Sequence, residues 1–203
     1  MSAESSLRGA WASAALAGAP VTLAQLRAGG VEDPLVQGAL RAQAAIGPLA
    51  DPWSRAPWQA LARLHALAAA DLAPADLLGR PAAGAVQRLD ILAQVLAATS
   101  APAVVVAAVV HGELLSLDAV PPVSGLVARA AVRLTLVERG LDPKSLVVVE
   151  AGHHELGDAY TAALEEYGTG SPAGVADWIG HCADAVVAGA QETLAICEAI
   201  ARG

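Results

Sequence analysis

Five histidines, two cysteines and a scatter of carboxylates are the groups of this 203-residue chain best placed to do chemistry. His111-Gly112-Glu113 has the H-x-E spacing of zinc deaminases, in which the histidine holds the metal and the glutamate moves protons. No Pro-Cys-x-x-Cys follows to complete that site. His153-His154-Glu155 could form a metal cluster with His181-Cys182 if the first segment folded back on the helix that carries the second. Adjacent histidines rarely both point at one ion, and no further ligand spacing supports a cluster. His153-His154-Glu155 is therefore read as an ordinary polar turn, and no metal ligand is assigned. His65 lies on or beside an apolar helical stripe without a partner at metal spacing, which describes a satisfied core histidine. Cys182 and Cys197 fall on one helix, separated by about 22 Å at 1.5 Å per residue. They cannot bridge each other and are read as buried structural thiols. No Gly-x-Ser-x-Gly elbow and no glycine-rich phosphate loop occurs, which removes the usual serine hydrolases and nucleotide enzymes.

The most informative stretch runs from Val110 to Arg129. Pro102, then an apolar helix, then His111-Gly112-Glu113-Leu114 and Leu117 precede a short segment, Asp118 to Leu126, and a second apolar helix follows up to Gly140. This succession resembles, without a gap, the active-site segment of the Fic/Doc (Fido) family. That family's pattern, H-x-F-x-(D/E)-G-N-G-R-x-x-R, sits on the loop between two antiparallel core helices and on the start of the second. The resemblance spans roughly residues 10 to 140 and is densest from 102 to 140. It implies an all-α, Fic-like helical domain with a degenerate active-site loop.

The same resemblance shows which chemistry has gone. The family histidine that takes a proton from the target hydroxyl falls on Asp118, a much weaker base unless burial raises its pKa. The acidic residue that holds Mg²⁺ falls on Pro122, which has no side-chain oxygen. The arginine that clamps phosphate falls on Leu126. Val120, Val123 and Ser124 stand where the family has Phe, Gly and Asn, and only Gly125 and Arg129 match. Loss of base, metal ligand and clamp together argues against AMP transfer, so neither a nucleotide with Mg²⁺ nor any other cofactor is expected. An anion site could persist where Ser124, Gly125 and Arg129 open the second helix, whose free N–H groups and dipole favour negative charge. The plainer reading is that Ser124 caps the helix and Arg129 makes a structural ion pair. Near the amino end, Ser13 to Gly18 matches the frame of the family's inhibitory helix, (S/T)-x-x-x-E-(G/N). Ala17 replaces the glutamate that pairs with the last motif arginine.

The elements that must position these residues are helical. Thr22-Leu23-Ala24-Gln25 has capping-box form and Gly29-Gly30 ends that helix. A second helix is expected from about Asp33 to Ala45, before Gly47-Pro48, and the prolines of 51–57 mark a loop. Trp58, Leu61, Leu64, His65 and Leu67 recur at helical spacing up to Pro74, as do Val86, Leu89, Leu92, Ala93 and Leu96. The valine-rich run 103–110 suits a buried strand on propensity, but its continuation through His111-Gly112-Glu113 favours a central helix. Gly125 to Arg139 forms the next helix, Asp142-Pro143-Lys144 a turn, and Leu146 to Glu150 a short strand or a buried helical turn. Ser171-Pro172 opens a long last helix, 171–201. Val175, Ile179, Cys182, Val186, Ala190, Leu194, Cys197 and Ile200 form its apolar stripe, interrupted by Thr193. Asp177, Asp184, Gln191 and Glu198 lie opposite.

Composition agrees with one domain over 1–203. Phenylalanine is absent and Ala, Val and Leu dominate, so the core must be built from closely approaching helices. A net charge of −8 repels phosphate backbones, so no nucleic-acid partner is expected. No apolar run reaches the roughly 20 residues of a membrane span. No basic segment followed by an apolar one opens the chain, so a cytoplasmic location is expected. Two functions of different class follow: a catalytically silent Fic-like protein that acts by binding or regulating a protein partner, or by homo-oligomerising, and a divergent nucleotide- or phosphate-dependent transferase using Asp118, Ser124 and Arg129.

Overall fold

The computed structural model describes residues 2–202, and for Ile200 the backbone alone. Regular structure among the described residues is entirely helical. The helices are α1 (Ser2–Leu16), α2 (Leu23–Ala28), α3 (Pro34–Ala50), α4 (Pro57–Ala68), α5 (Val86–Ala98), α6 (Ala103–Ser116), α7 (Ser124–Glu138), α8 (Val149–Leu156), α9 (Asp158–Gly168) and α10 (Pro172–Arg202). The all-α expectation is met, and 103–110 is helix, not strand. No described helix is long and apolar enough to cross a membrane.

The α6–α7 pair forms the axis. α7 is buried from Leu126 to Leu136 without interruption, which explains why its apolar pattern shows little sidedness. α3 and α4 pack on one side of it. α10 lies against α6, α8 and α9, and α1 crosses α3 and α8. With no phenylalanine to fill gaps, small residues bring the helices together. A Cβ on Gly152 would lie 2.0 Å from the Ala185 carbonyl oxygen, and one on Gly189 would lie 2.4 Å from that of Val148. α8 and α10 therefore touch backbone to backbone, and any side chain at either glycine would push them apart.

Local signals explain several ends. Thr22 accepts from the Gln25 N–H while Gln25 reaches back to the Thr22 N–H, a complete capping box. Gly140, at φ 74°, ends α7. Arg139 donates to the carbonyls of Leu96 and Thr99, both at 2.8 Å, closing the end of α5.

Five expectations about the helices and the residues they carry require correction. α3 does not stop before Gly47-Pro48 but continues to Ala50. Pro48 lies near the end of the helix on an exposed side, where the lost hydrogen bond matters least, and Ala50 anchors the end in the core. Ser124 lies inside the first turn of α7 and does not cap it: its Oγ accepts from the Val120 N–H at 2.9 Å, securing the preceding loop instead. The polar turn at His153-His154-Glu155 is part of α8. In α10 the buried line runs through Gly174, Trp178, His181, Cys182, Ala185, Gly189 and Thr193, turned away from the most hydropathic residues, so that Leu194 is 59 % exposed. Close approach to α8 selects small residues there, and Thr193 satisfies its hydroxyl on the Leu146 and Gly189 carbonyls. Cys182 is a buried thiol, whereas Cys197 is only half-buried; both are free. The place of Ile200 in the apolar stripe falls outside the described side chains.

Candidate functional site

The loop between α6 and α7, residues 117–123, is held by backbone and side-chain hydrogen bonds rather than by charge. The Ala119 carbonyl accepts from the Ala82 N–H at 2.8 Å. His65 accepts the Gly79 N–H on Nδ1 at 3.1 Å, which leaves Nε2–H to donate to the Pro121 carbonyl at 3.1 Å. Burial holds its pKa below the ordinary histidine value, against the pull of the Pro121 carbonyl. His65 is thus the satisfied core histidine its setting implies, and it ties the motif loop to the segment before α5.

The four sequence-derived site residues do not converge. Asp118 is exposed, sits at φ 42°, and makes no side-chain hydrogen bond or ion pair among the described residues. Ser124 is buried against the loop backbone. Gly125 leaves room for the Arg129 guanidinium: a Cβ there would lie 3.1 Å from both terminal nitrogens. Leu126, where the sequence reading expects a lost phosphate clamp, is part of the core.

Arg129 is only 3 % exposed. Its Nε donates to Ser13 Oγ and its NH2 to the Ser13 carbonyl, both at 2.9 Å, and NH1 donates to Tyr160 Oη at 3.3 Å. All its partners are neutral, so the expected ion pair is replaced by a serine clamp from α1.

Tyr160 links Arg129 to groups that sequence reasoning left apart. Its Oη lies 2.8 Å from His111 Nε2, and around it gather His153, His181 and Trp178 as stacked or tilted rings. His153 Nδ1 is 3.1 Å from His181 Nε2. Trp178 donates to the Ala108 carbonyl at 2.7 Å, and Gly112 leaves space for the rings of Tyr167 and Trp178. One ring nitrogen of His111, one of His153 and Cys182 Sγ lie within 4.8 Å of one another. Burial pushes the His111 and His153 pKa values well below ordinary, helped by neighbouring histidines and the Arg129 charge. Burial likewise raises the Cys182 thiol. His181 is lowered by burial, with Asp184 opposing. Burial raises Tyr160 against the pull of Arg129.

The sequence reading names no metal ligand because it places His153 in a turn beside His154. On α8 the two diverge: His153 is buried, while His154 is exposed and meets the Trp11 ring. Glu113 also parts from His111, pairing with Arg88 and accepting from Tyr167 at 2.7 Å, so the H-x-E spacing builds no joint site. Next to this cluster, Arg133 donates to Gln43 at 2.8 Å and to Ser145, and faces Glu150 at 3.7 Å, in a buried ion pair covered by Gly9.

Comparison of the chain with protein-family models and with curated proteins gives no match.

Proposed function

We propose that the chain is a degenerate Fic-like domain that does not transfer AMP and acts by binding a protein partner or a second copy of itself. The observation that carries this reading is the burial of Arg129 under Ser13. The one basic residue that agrees with the family pattern spends its donors on a serine, a backbone carbonyl and a tyrosine. The serine comes from the segment that resembles the inhibitory helix, so the contact reproduces the pairing of helix and arginine with the glutamate left out. Two further features support the reading. The motif segment joins two helices packed side by side, and the loop offers Pro122 and the buried Leu126 where phosphate chemistry needs a metal ligand and a cation.

A partner surface is supported by apolar side chains that the fold leaves uncovered. Ile91 and Val95 lie one turn apart on α5, and Val187 and Leu194 two turns apart on α10, all exposed. A net charge of −8 favours a partner that is not itself strongly acidic.

A thermal-shift titration with ATP, other nucleotides and Mg²⁺ tests the absence of nucleotide chemistry, because a ligand that binds the native state raises its apparent stability. No shift is expected across the panel. A saturable shift that vanishes in Arg129→Ala would favour the divergent transferase using Asp118, Ser124 and Arg129.

A further inference from the structure

Two imidazoles and a thiol from three different helices meet in the core where α6, α8 and α10 pack together. His111 Nδ1 and His153 Nε2 are buried and make no hydrogen bond among the described residues. Almost every buried polar atom has a partner, because leaving one unmet is costly. His111, His153 and Cys182 line the same cavity of about 10 Å³, whose remaining wall is apolar and includes Val104, Ala107 and Val186. That volume suits a single atom-sized guest and nothing larger.

The rings are also held as ligands are held. The second nitrogen of each is engaged, His111 Nε2 with Tyr160 Oη and His153 Nδ1 with His181 Nε2. Such outer contacts fix ring orientation and tautomer at metal centres.

We propose that His111 Nδ1, His153 Nε2 and Cys182 Sγ form a three-coordinate site for one soft, thiophilic metal ion of the copper(I) class. The set contains no oxygen donor, which disfavours Mg²⁺ and Ca²⁺, and its thiolate and imidazoles suit copper(I) or zinc(II). Charge separates those two. The buried arginines beside the cluster, Arg129 and Arg133, face Glu150, while the other buried carboxylates are engaged elsewhere, Glu113 with Arg88 and Asp142 with the N–H groups of Leu146 and Val147. A monovalent ion on a thiolate adds no net charge, whereas a divalent ion leaves one more positive charge in a low-dielectric site and calls for a fourth ligand. On loading, the Cys182 S–H bond breaks, its proton passes to solvent, and the sulfur bonds the metal without change of oxidation state. The ion would fasten α8 to α6 and α10. This inference does not depend on the family resemblance.

Anaerobic titration of the full chain with copper(I) against a chromogenic copper(I) chelator should reveal one bound ion per chain. Cys182→Ser should weaken binding by about 100-fold or more. Cys197→Ser and His154→Ala should leave it unchanged. X-ray absorption of the loaded wild-type protein needs no variant and should show two nitrogens and one sulfur around copper. Absence of binding, binding that survives Cys182→Ser, or more than one sulfur per copper would overturn the site. Retention of zinc(II) through these residues with exclusion of copper(I) would overturn the assignment of a monovalent ion.

Discussion

The α6–α7 loop and the buried face of α8 treat polar residues in opposite ways. In the loop the chemically capable side chain, Asp118, is exposed and has no partner among the described residues, while Pro122 offers no side-chain donor or charge and Leu126 lies in the core. On α8, Glu150 and His153 lie one turn apart in the core. Glu150 is compensated by Arg133 and Gln43, and His153 by one contact to His181, with a second nitrogen left over. The conspicuous segment is largely packing, and an undistinguished eight-residue helix carries two buried titratable groups. Residue spacing along the chain does not by itself bring reactive groups together, whereas buried polar atoms mark where the fold has gathered them.

The largest expected effect lies on the α8 side. Glu150→Ala leaves the fully buried Arg133 without its carboxylate and should cost about 3–5 kcal/mol in a urea-unfolding measurement. A cost below about 1 kcal/mol would mean that Gln43 and Ser145 alone satisfy the arginine. On the loop side, Leu126→Ala should cost about 2–5 kcal/mol, because the residue is a core side chain. A value near zero would show the loop to be held by its hydrogen bonds alone.

The His65 bridge between loop and core gives a smaller, pH-dependent effect. Its native pKa is lowered, whereas the unfolded chain takes up the proton near the ordinary value of about 6.5. Below about pH 6.5 the unfolded state therefore binds more protons, and stability falls as pH falls. This one group contributes up to about 1.4 kcal/mol per pH unit until its native pKa is reached; above about pH 6.5 its contribution is constant. The decline in stability from pH 7 to pH 5 should be shallower in His65→Gln than in wild type, and equal slopes would refute the assignment. The smallest effect belongs to Asp118→Asn, which keeps a side chain tolerant of positive φ and removes only an exposed carboxylate. Its stability should stay within about 0.5 kcal/mol of wild type.

Much of the fold was legible because it rests on local chemistry. Thr22 and Gln25 announce a capping box, Gly140 a helix stop, and Ser171-Pro172 the start of α10, each through the backbone groups it satisfies or frees. The misreadings occur where tertiary contact outweighs local preference. Pro48 is tolerated at the end of a helix whose last residue is buried. α8 has no side-chain cap to announce it, and its pairing with α10 depends on Gly152 and Gly189, which carry no hydropathic signal. The face of α10 is chosen by size, so Thr193 turns inward and Leu194 outward. The candidate site followed the same division. The frame around Gly125 and Arg129 stands in the sequence, but His111, His153 and Cys182 come from three separate helices and share no spacing. The nearest hint was the pairing of His153 with His181-Cys182, and it required α8 to be recognised as a helix that sends His153 inward and His154 outward.

The proposed contrast between a loop without nucleotide chemistry and a metal-binding core is tested most directly by following the melting temperature of one wild-type sample with Mg²⁺-ATP and, separately, with copper(I) under anaerobic conditions. The expected result is no change with Mg²⁺-ATP and a saturable rise with one equivalent of copper(I). A saturable rise with Mg²⁺-ATP and none with copper(I) would contradict it.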